Sequence, residues 1–113
     1  MEIVTQAISL ARLRELAESK FGDMVKAVVD VEKGIMAVDG ELHSDEEELL
    51  LVHGSKQADL WGINLYPDIV SGEWIEFDSM INLRPSQGNR SRGIENPQIG
   101  QRIVEIVSRL VTR

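Results

Sequence analysis

The sequence predicts an α+β domain: an antiparallel sheet of four or five strands, a meander, with N-terminal and C-terminal helices packed on one face. Two observations carry this. Segments with helical apolar stripes stand at either end, and the stretch between them alternates β-branched and polar residues at strand period. A third sets the domain count: 113 residues without internal repeat or Pro/Gly/Ser-rich linker suit one domain over 1–113.

Ile3–Thr5 reads as a short first strand. Ser9 is an N-cap for a helix reaching Lys20, with Gly22 just past its end. Its apolar stripe is Leu10, Leu13, Leu16, Ala17 and Phe21. Val25, Ala27, Val29 and Val31 alternate with Lys26, Asp30 and Glu32 as a strand, and Lys33-Gly34 turns it into a return over Ile35–His43. A two-residue loop places Val31 opposite Met36 and pairs Lys26 with Glu41. Ser44–Val52 carries a capping-box pattern, Ser44 with Glu47, yet His53-Gly54-Ser55 resembles a hairpin turn, so the run is assigned to a strand paired with Leu60–Tyr66. Ile75 to Arg84 alternates as a long half-polar strand closed by Pro85. Asn96 caps and Pro97 begins the last helix, to Val111, whose buried face is Ile99, Ile103, Ile106, Val107 and Leu110.

Composition removes several functions. Without cysteine there is no disulfide, zinc finger, iron–sulfur ligation or thiol catalysis. A net charge of −7 argues against general binding to nucleic acid or a membrane surface. No apolar run is long enough to span a bilayer and the first residues do not read as a secretory leader, so the expected location is cytoplasmic. No nucleophile elbow surrounds Ser79, no dinucleotide fingerprint is present, and Glu41, Glu76 and Asp78 have no defined separation as a carboxylate pair. The chain is read as leaning away from an enzyme, with its cofactors unknown.

Charge is nonetheless uneven. Asp39–Glu48 holds six acids and neither Lys nor Arg, whereas Arg84–Gly93 holds three arginines and no acid. In the second segment Arg84, Gln87, Asn89, Arg90 and Arg92 are the candidate ligand-binding or anion-binding set, since planar guanidiniums and amides before a helix N-terminus suit a carboxylate or phosphate. The competing reading has those arginines pair with internal acids and pin the loop. On the returning strand Asp39, Glu41 and His43 would share a face as candidate metal ligands, against a plain reading as a solvated strand edge.

Gly40-Glu41-Leu42-His43, then Leu60-Trp61-Gly62-Ile63-Asn64-Leu65-Tyr66-Pro67, then the run from Ile75 through Arg84-Pro85-Ser86-Gln87-Gly88-Asn89-Arg90-Ser91-Arg92-Gly93 resembles a family of short prokaryotic proteins classed only as a domain of unknown function. The resemblance covers nearly the whole chain. It implies a single compact domain and carries over no role for any residue.

Two expectations about function follow. The leading one is a non-enzymatic protein-interaction or regulatory module using the Arg-rich loop 84–93 against an acidic protein partner. The rival is a small-anion or phosphate site, or a metal-assisted enzyme, using the Arg loop with Asp39, Glu41 and His43. A homo-oligomer is also expected, because Val104 and Val111 widen the last helix's apolar face and Trp74 falls on the solvent parity.

Overall fold

The α+β architecture follows from how the alternating segments pair. A computed structural model describes residues 1–113. Its elements are β1 (Glu2–Val4), β2 (Ile8–Ser9), α1 (Leu10–Ser19), β3 (Val25–Asp30), β4 (Ile35–Val38), α2 (His43–Val52), β5 (Leu60–Leu65), β6 (Ile75–Glu76), α3 (Pro97–Leu110) and β7 (Val111–Thr112). Five strands form one wholly antiparallel sheet in the order β1-β4-β3-β5-β6. β2 and β7 make a separate parallel pair, Ile8 opposite Val111, which ties the start of α1 to the end of α3.

The terminal helices begin where their caps dictate. Ser9 Oγ accepts the Arg12 amide at 3.0 Å, and Asn96 Oδ1 accepts those of Gln98 and Ile99, with Pro97 at the first helical position. Leu13, Leu16 and Ala17 of α1 and Ile103, Ile106, Val107 and Leu110 of α3 bury against Ala27, Val29, Val38, Ile63 and Leu65 on one sheet face. Both helices therefore cover the same layer, as expected.

Four expectations need correction. The run 44–52 is a helix. Its inward stripe is His43, Glu46, Glu47 and Leu50, with Glu46 and Leu50 fully buried, and a stripe that is mostly polar conceals helical period. His53-Gly54-Ser55 ends this helix: Ser55 N–H bonds Leu50 O and Gly54 N–H bonds Leu51 O, with Gly54 at φ 98°, a Schellman arrangement. Because α2 covers the second sheet face over Val28, Ala37 and Leu60, the fold has three layers, and β5 pairs with β3 instead of with a strand over 44–52.

The β3–β4 hairpin keeps the expected faces but shifts register by two, pairing Asp30 with Ile35 and Val29 with Met36. The cause is Asp30, whose carboxylate accepts the amides of Glu32 and Lys33 at 2.9 Å and closes a longer loop than Lys33-Gly34 alone. The long strand over 75–84 is only β6; the chain then leaves the sheet, and 80–82 is a single 3₁₀ turn. There the fully buried Asn82 substitutes for the missing strand: its Oδ1 accepts Gly62 N–H at 2.8 Å and its Nδ2 donates to Gly62 O at 2.9 Å. Gly62 is needed opposite, since a Cβ there would lie 2.5 Å from Ser79 Cβ.

Finally, the surfaces expected to support self-association differ. Trp74 is buried, with the Arg113 guanidinium over its ring, and Val111 is buried in the β2–β7 pair. Val104 is 41% exposed. No helix is long and apolar enough to cross a membrane.

Candidate functional site

The Arg84–Gly93 loop runs from the 80–82 turn to the approach of α3, and its polar residues divide into two groups. Arg84 is inward. Its Nε donates to Ile81 O and one terminal nitrogen to Gln57 O, each at 2.9 Å, while the other donates to Leu60 O. The guanidinium lies 4.6 Å from the Trp61 ring centroid and 3.9 Å from the Glu47 carboxylate. Burial lowers its pKa from the usual arginine value, and Glu47 opposes that shift. Asn89 is also buried: Nδ2 reaches the carbonyls of Asn82 (2.7 Å), Gly93 (2.8 Å) and Ser91 (3.1 Å), and Oδ1 accepts Glu95 N–H. The backbones of Arg84 and Asn89 bond each other in both directions. Together with Asn82, which also holds Arg92 O at 3.0 Å, they immobilise the loop.

The outward group is Gln87, Arg90 and Arg92. Gln87, exposed, donates to Ala58 O at 3.2 Å, and its Oε1 accepts from Arg84 at 3.3 Å. Arg92 Nε reaches Asp78 at 2.7 Å, with both side chains about half exposed. Arg90 uses its backbone N–H on Glu95, and its exposed guanidinium makes no ion pair. Arg84, one of the three arginines of the expected set, is thus enclosed by backbone carbonyls. A sequence pairs charges with charges, and nothing in it reveals that carbonyl oxygens supply the partners.

The expected metal face is not formed, because β4 ends at Val38 before it reaches those residues. Asp39 turns the chain at φ 71°, and its carboxylate holds Lys20 at 3.0 Å and the N-terminal ammonium at 3.8 Å. Glu41 is exposed in the loop, and His43 opens α2. No group of three or more His, Cys, Asp or Glu side chains could hold a metal ion.

A second polar region, absent from the expected set, lies where α2 begins. Lys26, Asn64 and Glu76 stand in register across β3, β5 and β6. Asn64 Nδ2 donates to Glu76 at 2.9 Å and to Asp78 O at 3.3 Å, and Tyr66 OH donates to the same Glu76 oxygen. Asn64 Oδ1 is buried without a partner. His43 Nε2–H donates to Ile63 O at 2.8 Å, an acceptor that sets the tautomer. Burial lowers the His43 pKa and Lys26 lowers it further, against the Ile63 bond, so the ring is neutral at pH 7. Cross-strand polar residues were visible in the alternation; their convergence on His43 depended on α2 being a helix.

Comparison with known proteins gives one result. The model of a family described as "Protein of unknown function (DUF5674)" matches residues 2–110, and the chain belongs to that family. No curated protein and no solved structure matches it.

Proposed function

We propose that this family member is a non-enzymatic interaction module that offers Arg90 and Arg92, flanked by Gln87, to an acidic surface of a protein partner. The observation that supports it most is the exposed Arg90 guanidinium left unpaired on an immobilised loop, in a chain that carries 19 acidic residues. Holding the loop backbone in place before binding removes its share of the ordering cost, so that only the side-chain rotamer entropy, about 2 kcal/mol, is lost on contact. Arg92 shares its carboxylate with solvent, and a partner carboxylate can replace Asp78 at small cost. Arg84 and Asn89 belong to the frame of the same loop.

The test is photo-crosslinking in cells, with a crosslinking residue at the exposed Ser86. The expected product is one acidic protein, lost in Arg90→Glu while melting is unchanged. Absence of a product, or one insensitive to Arg90→Glu, overturns the proposal. Saturable binding of inorganic phosphate at these arginines would replace the protein partner by a small anion. Self-association belongs to the same proposal through the exposed Val104. Light scattering at micromolar concentration should exceed 12.7 kDa, and a value of 12.7 kDa overturns it.

A further inference from the structure

We propose that the cavity between the start of α2 and the 80–82 turn is a binding site for a short-chain monocarboxylate. It lies outside the Arg loop and is independent of that loop's role. The cavity is a half-open cleft of 170 Å³, the share of about six waters at about 30 Å³ each. That is below the range of about 300–1,000 Å³ for drug-sized ligands, so the occupant has only a few heavy atoms.

Its lining has two poles. Lys26, His43, Ser44 and Ser79 supply polar atoms, and Leu42, Met80 and Ile81 supply an apolar wall. Lys26 makes no ion pair, its ammonium resting 5.1 Å from the Phe21 ring centroid. Leu42 and Met80 are 55% and 62% exposed, apolar surface that an alkyl group would cover.

The sign of the ligand's charge follows from what is missing. The other three cavities each include a carboxylate: Asp30, Glu32 and Asp59 in one, Glu41 in the next, Asp45 and Glu48 in the third. This one includes none, although the chain carries 19 acids against 12 bases. Of the acids near it, Asp78 pairs with Arg92, Glu76 accepts from Asn64 and Tyr66, and Glu46, whose carboxyl burial keeps protonated, brings no counter-charge. Lys26 is then a cation without a counter-ion beside an apolar wall, which suits a carboxylate with a short alkyl chain. His43, tied to Ile63 O, stiffens the wall without adding charge.

The experiment is ¹H–¹⁵N NMR of the full chain titrated with butyrate, butyramide, acetate and inorganic phosphate at constant ionic strength. Butyrate is expected to give saturable shifts centred on residues 26, 42–44 and 79–81, and butyramide none. Lys26→Met should abolish them; Met80→Ala, at an exposed position that the fold does not need, should weaken butyrate and leave acetate unchanged. No saturable shift at millimolar butyrate, equal response to butyramide or phosphate, or persistence in a folded Lys26→Met variant would overturn the proposal.

Discussion

Arg84 and Arg90 are six positions apart on one loop and differ in every physical respect. Arg84 is 8% exposed, and its fork-shaped donor set meets carbonyls at Ile81, Gln57 and Leu60. Arg84→Ala orphans these buried acceptors and should cost about 3 kcal/mol in urea unfolding, and Arg84→Lys should recover little because an ammonium cannot span the three. Arg90→Ala should stay within about 0.5 kcal/mol, as an exposed side chain without a partner. Glu46 supplies a second test. It accepts Gly40 N–H at 3.0 Å, its other oxygen has no partner, and burial pushes its pKa up from 4.5 to about 9. Between those values the folded chain keeps a proton that the unfolded chain releases. Its stabilising contribution is therefore complete below pH 4.5 and is lost as pH rises through about 9. Melting across that range should flatten in Glu46→Gln, which cannot ionise; an unchanged slope would assign the pH dependence to other groups.

At the scale of elements, the terminal helices, β3 and β5 were legible because local chemistry agreed with burial: a cap, an apolar stripe, an alternating run. α2 was hidden because Glu46, a carboxyl kept neutral, occupies a core position that the pattern assigns to solvent. The strand expected beyond Glu76 was misread because a side chain, Asn82, completes the sheet edge, and alternation says nothing of side chains acting as backbone. The candidate loop was legible as a segment. Its inward and outward residues were not, since carbonyl partners leave no mark in composition. Asn82→Ala removes both bonds to Gly62 and leaves its N–H and C=O buried and unpaired, a loss of about 3 kcal/mol expected from equilibrium denaturation. Gly54→Ala should cost about 1 kcal/mol, from placing a Cβ at φ 98° at the end of α2.

Over the whole molecule, the segment Asp39–Glu48 and the segment Arg84–Gly93 concentrate opposite charge without neutralising each other. The one link between them is Glu47 at 3.9 Å from Arg84. An acidic protein whose basic loop leaves Arg90 unpaired repels most acidic partners at long range and admits one whose carboxylates match that loop, so electrostatics here selects partners as well as attracting them. Selection of this kind requires the loop backbone that carries the arginines to be held in place by the frame of Arg84, Asn82 and Asn89. Backbone ¹⁵N order parameters for residues 84–93 in the free protein measure that directly. Values of about 0.85, equal to the strands, are expected, whereas values below about 0.6 would show the loop to be mobile and the partner selection unfounded.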